Sequence, residues 1–139
     1  MWKGLHYDPE QRISYAGILQ CFDQGNQLLG DYPAQLVSVH DPDEYLAKAS
    51  DQADENKRYQ DILEAYGALN ELKNQGKVLA VGVGSKSWKV IQRIAQDVEL
   101  DWVMIANSLT LHDHPTELLN FIKELARADI AVINSTVFN

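Results

Sequence analysis

A histidine, an asparagine and three serines stand where this chain could do chemistry: His40, Asn107, Ser85, Ser108 and Ser135. Each follows a short run of β-branched and apolar residues. His40 closes Leu36-Val37-Ser38-Val39-His40-Asp41, and Ser85 closes Val78-Leu79-Ala80-Val81-Gly82-Val83-Gly84-Ser85. Asn107 and Ser108 close Trp102-Val103-Met104-Ile105-Ala106-Asn107-Ser108, and Ser135 closes Ile130-Ala131-Val132-Ile133-Asn134-Ser135. A histidine so placed can offer a hydrogen bond to a substrate carbonyl. It can equally be a structural group bonded by a neighbour. In Val81-Gly82-Val83-Gly84-Ser85-Lys86-Ser87, glycines would let a ligand approach the backbone, and a helix start would favour phosphate. The third glycine of a dinucleotide fingerprint and the Gly-Lys-Ser/Thr ending of a P-loop are both absent. A tight turn explains these residues as well as a ligand does.

Other polar clusters carry less. His112-Asp113-His114 matches no zinc spacing, and adjacent side chains diverge. Asp51 to Glu55 reads as a solvated surface. Cys21, the one cysteine, can form no internal disulfide and is expected to pack as a small hydrophobe. A reducing compartment, the cytoplasm, is its natural home.

The elements that must position these groups alternate. Four buried-looking strands are separated by helical patterns, as in parallel β/α proteins, whose chemistry gathers at the carboxyl ends of the strands. Ser14 is an N-cap and Gly30 a stop for the first helix. Asp41 to Tyr45 reads as a turn or loop, and residues 46–57 as an exposed helical excursion or loop. Tyr59, Ile62, Leu63, Tyr66, Leu69 and Leu72 share one face of the clearest helix, which Gly76 closes. Ser87 caps the next, with Val90, Ile91, Ile94 and Ala95 inward. Pro115 opens the last, with Leu118, Leu119, Ile122 and Leu125 inward. Residues 1–13 read as a polar loop, and His6 carries no argument.

The 139 residues suit one domain, and 45% of them are hydrophobic. Twenty acidic against 12 basic residues give a net charge of −8, which argues against nucleic acid and anionic membranes. No apolar run approaches a membrane span, and Met1 to His6 is no signal peptide.

Taken together, Leu36 to Asp43, Gly76 to Ser85, Asp101 to Ser108 and Val132 to Asn139 resemble the aldo-keto reductases, most closely their sugar- and aldose-dehydrogenase-like branch. The resemblance implies a TIM (β/α)8 barrel that uses NAD or NADP without a Rossmann domain. It implies hydride transfer between the nicotinamide and a carbonyl or hydroxyl carbon, with an Asp, a Tyr, a Lys and a His in the active site. The Tyr is the general acid or base, the Lys and Asp tune it, and the His orients the substrate oxygen. His40 matches that histidine, at the end of the fourth barrel strand. Gly84-Ser85 falls where the family has a carboxamide-binding Ser-Asn pair. Asn107 and Ser108 fall near its Gln or Arg after the sixth strand. Ser135 falls where many members stack an aromatic ring on the nicotinamide, which a serine cannot do.

Such a barrel needs about 250 residues. The expectation is therefore an α/β fold in the form of a partial (β/α)8 barrel, a single incomplete domain over 1–139. It would run from the third helix through the seventh strand, inside a longer enzyme whose other strands carry the Asp, Tyr and Lys. Alone it would leave two strand edges and one apolar sheet face open, inviting self-association or a partner chain, and would lack activity. The expected function is an NAD(P)-dependent oxidoreductase acting on an aldose or another small carbonyl or hydroxyl compound, with no resident metal. Two alternatives are a metal-dependent hydrolase using His40, Asp41, His112 and His114, and a non-catalytic remnant or split-enzyme subunit.

Overall fold

The structure, a computed structural model, describes residues 11–138. The expected N-terminal loop and His6 lie outside them, residues 11–13 excepted. Ser14 accepts a hydrogen bond from the Gly17 amide at 3.1 Å and starts α1 (Tyr15–Leu29), which Gly30 ends with φ 64°. Gly17 is demanded by space, because a Cβ there would lie 2.3 Å from the Arg12 carbonyl oxygen. Cys21 is exposed, contrary to expectation. It lines a groove with Ile18, Phe22 and Val37, beside a strand edge that no described residue pairs with.

Four strands, β1 (Leu36–His40), β2 (Ala80–Ser85), β3 (Trp102–Ala106) and β4 (Ala131–Ser135), form one parallel sheet in the order β1-β2-β3-β4. Helices α2 (Pro42–Leu46) and α3 (Gln52–Asn74) join β1 to β2, α4 (Trp88–Asp97) joins β2 to β3, and α5 (Thr116–Arg127) joins β3 to β4. This is part of a (β/α) barrel. The expected turn at Asp41 to Tyr45 is instead α2. Pro42 has its φ preset for the first helical position, and Asp43 and Glu44 suit the positive end of the helix. Within residues 46–57, Asp51 accepts from the Asp54 amide at 2.8 Å and caps α3, so the helix starts well before Tyr59.

Val39, Val81, Val83, Val103 and Ile105 pack under Ile62, Tyr66 and Leu69 of α3, Ile91 and Ile94 of α4, and Leu118, Phe121 and Leu125 of α5. Each such side chain contributes roughly 1.5–3 kcal/mol by burial. Trp88 joins α4 to α5 by packing 6.1 Å from Phe121. Leu119, expected inward, is exposed. Phe121 takes the inward position because 118, 121, 122 and 125 complete the helical stripe.

The opposite sheet face lies open among the described residues. Leu36 is 61% exposed and Ile133 39%, and Trp102 and Met104 are half-buried. The Trp102 ring lies across Gly82, where an added Cβ would fall 2.3 Å from the indole. From the helical side, the buried Tyr66 hydroxyl donates to the Gly82 carbonyl at 3.2 Å, and burial raises its pKa.

Candidate active site

Parallel register sets which side chains share the open face. His40 pairs with Gly84, Gly84 with Met104 and Met104 with Ile133. Ala106 pairs with Ser135 two residues further along. Alternation puts all of these on the same face. His40, Gly84 and Ser135 are thus brought to one rim, with Asn107 and Ser108 just beyond β3.

Three strands leave this rim through a non-glycine residue of positive φ: Asp41 at 45°, Asn107 at 63° and Thr136 at 64°. Asp and Asn adopt this conformation more readily than most residues, but a β-branched Thr there is an outlier. Such residues cost roughly 1–3 kcal/mol each and persist where the surroundings over-determine them, often at functional sites.

The His40 side chain is 86% exposed, and its Nδ1 lies 3.6 Å from Asp41 Oδ2. That is a close approach, too long for a hydrogen bond. Lys86 Nζ lies 3.7 Å from the same oxygen and bonds Glu44. The Glu44 bond first, and Asp41 second, raise the Lys86 pKa above its ordinary value. Asp43 Oδ2 accepts from the Ser87 amide at 3.2 Å. Ser108 Oγ donates to the Lys86 carbonyl, and the Asn107 amide donates to the Ser135 carbonyl at 3.4 Å. Asn134 Nδ2 donates to the Leu109 carbonyl at 3.0 Å.

Ser85 departs from the expected arrangement. It sits in the row of Ile105 and Asn134, on the helical face, and is 2% exposed. Its hydroxyl donates to the Ser87 carbonyl at 3.3 Å and accepts from the Ser87 amide at 3.1 Å. It stitches the β2–α4 turn rather than facing the rim. Ser87 stands at the start of α4 as expected, yet its own side chain makes no capping bond. Among the described residues no three His, Cys, Asp or Glu side chains gather to hold a metal, so the set needed for the hydrolase alternative is not assembled. Lys86 and Asp43 were missed as groups that tie the rim together, because bonds between loops leave no mark in local spacing.

The Aldo/keto reductase family model matches residues 2–139. The chain belongs to the aldo/keto reductase family. Among curated proteins, this chain is 27% identical to a pyridoxal 4-dehydrogenase of Microbacterium luteolum over 139 residues, covering 98% of this chain and 39% of that protein. It is 30% identical to a D-threo-aldose 1-dehydrogenase of a Pseudomonas species over 128 residues, covering 88% and 34% respectively. It therefore spans less than half the length of these relatives. In fold it is similar to a crystal structure of an aldo/keto reductase from Brucella melitensis, with a TM-score of 0.61 and 23% identity, over 87% of this chain and 41% of that one.

Proposed function

We propose that this reductase chain supplies part of the active-site rim of an NAD(P)-dependent oxidoreductase acting on an aldose or another small carbonyl or hydroxyl compound. In this reading it corresponds to the third helix through the seventh strand of a barrel that works in the cytoplasm. The observation that carries the reading is the placement of His40: an exposed imidazole at the carboxyl end of β1, on the open face it shares with Gly84 and Ser135.

The residues fit a nicotinamide on one test. At Gly84 the open face is bare, and an added Cβ would find only Met104 Cβ at 3.9 Å. A flat ring needs such an approach to backbone. The Asn107 side chain and the Ser135 hydroxyl would hold its carboxamide, and Ser108 would keep the loop in place through the Lys86 carbonyl. The nicotinamide nucleotide, when bound, supplies or accepts the hydride. His40 would direct an N–H at the substrate oxygen as charge develops there. The proton itself would be handled by the family's Tyr, on a strand outside this chain.

The test is a completed barrel, made by joining the chain to the complementary strands of the D-threo-aldose 1-dehydrogenase. It should change NAD(P)H absorbance with aldoses. His40→Ala should lower that rate by roughly 100-fold or more, the scale for losing one preorganised donor. A folded, completed protein that binds no nicotinamide nucleotide in a fluorescence titration would end the assignment.

A further inference from the structure

Resting on that reading of the rim, we propose that Lys86 is the positioning residue that holds the His40 imidazole, acting through the segment that follows β1. Three loops meet at Lys86. Its ammonium bonds Glu44 of α2 and lies 3.7 Å from Asp41 Oδ2, the same oxygen that lies 3.6 Å from His40 Nδ1. Its carbonyl accepts the Ser108 hydroxyl from the loop after β3. The next residue, Ser87, donates its amide to Asp43. The segment bearing the imidazole is thus held to the β2–α4 turn at 41, 43 and 44.

This clamp matters because, among the described residues, little else holds the ring. It is mostly exposed, and Asp41 beside it sits at φ 45°. Asp41 has one backbone tie to the sheet, from its amide to the Gly84 carbonyl at 2.9 Å. With the ammonium gone, the Asp41 carboxylate loses its cationic partner and α2 is free to shift. Exposed ion pairs contribute little to stability, so the effect falls on where the imidazole sits and leaves the melting temperature almost untouched. The charged group beside the ring is Asp41, and Lys86 and Glu44 are linked to it in turn.

The test uses NMR of the full chain with isotope-labelled histidine, His40→Gln assigning the His40 ring signals among those of four histidines. Lys86→Met should displace and broaden the His40 ring signals while leaving the other histidines and the thermal midpoint unchanged. Lys86→Arg should restore them, and Glu44→Gln should displace them in the same direction. Glu44→Gln carries the test if Lys86→Met fails to fold. His40 signals that stay in place in Lys86→Met, or in Glu44→Gln where that variant stands in, overturn the proposal, as does an equal displacement in Lys86→Arg. Nucleotide titration of the completed barrel is a separate arm, whose failure ends the oxidoreductase reading and leaves the NMR result standing.

Discussion

The two ends of the sheet are held by opposite means. At the amino ends, Asp101 bonds in every direction. Its amide donates to the Val81 carbonyl at 2.8 Å, and its carbonyl accepts the Ala131 amide at 2.9 Å. Its carboxylate accepts the Val81 amide at 2.8 Å and the Lys73 ammonium at 2.6 Å. One residue thereby joins β2, β4 and the last turn of α3. At the carboxyl ends the ties run between exposed charges and hydroxyls, and three strands exit through left-handed residues. The base is built from half-buried bonds and close packing. The rim spends conformational strain on holding side chains in the open. Fold stability and chemistry are therefore separable by mutation.

Two glycines of β2 give that separation its strongest test. Gly82→Ala places a methyl 2.3 Å from the Trp102 ring and 2.5 Å from the Trp102 carbonyl oxygen. Turning the indole aside cannot relieve the backbone contact. Overpacking of this kind costs about 1–3 kcal/mol, and Gly82→Ala should fall at the top of that range in urea unfolding. Gly84→Ala, with its neighbour at 3.9 Å, should stay within about 0.5 kcal/mol of the parent, while weakening nucleotide binding in the completed barrel. Equal losses at both positions would erase the distinction between base and rim.

Next in size is Asp101→Ala. The Val81 amide, in a fully buried residue, loses its carboxylate partner. An unsatisfied buried donor costs about 1–3 kcal/mol. The carboxyl also carries a pH signature. Burial pulls its pKa up, but the Lys73 ammonium and the Val81 amide outweigh burial and leave it below the usual carboxylate value. A pKa lowered by folding stabilises the native state above the unfolded value of about 3.9, and that contribution disappears as pH falls through the folded value. Unfolding followed from pH 6 downwards, on the order of three units, should show a smaller loss for Asp101→Asn than for the parent. An identical loss would remove Asp101 from its place at the base.

Much of this was legible in the residues. Ser14 and Gly30 bracket α1 through chemistry that acts within a few residues, and Trp102 to Ala106 is bounded as its apolar run suggests. The side taken by Ser85 was legible too. It lies two residues after Val83 and four after Val81, so alternation alone sends it to the core face. The pull of a polar residue at a strand end obscured that count. α2 was obscured by Asp41-Pro42-Asp43, whose residue types serve a turn and a helix start equally. The Lys86 cluster was not legible, because ion pairs among 41, 44 and 86 exist only once β1 and β2 lie side by side. Thr136 at φ 64° was not legible either, since sterics argue against it and only tertiary packing imposes it.

A stability effect as small as that of Gly84→Ala belongs to His40 itself. Its ring is mostly in solvent, its close approach to a charged group among the described residues is the 3.6 Å one to Asp41, and its backbone pairs with Gly84 whatever the side chain. His40→Ala should therefore shift the unfolding free energy by no more than about 0.5 kcal/mol, the usual range for surface substitutions. The same change is expected to cost the completed barrel most of its activity. In the proposed reading, the imidazole stands at the end of a strand beside a left-handed neighbour for the substrate and not for the fold. Chemical denaturation of the parent and of His40→Ala measures this directly. A loss above 1 kcal/mol, about double the surface allowance, would mean the imidazole helps hold the sheet together, and the rim would then be a structural element like the base.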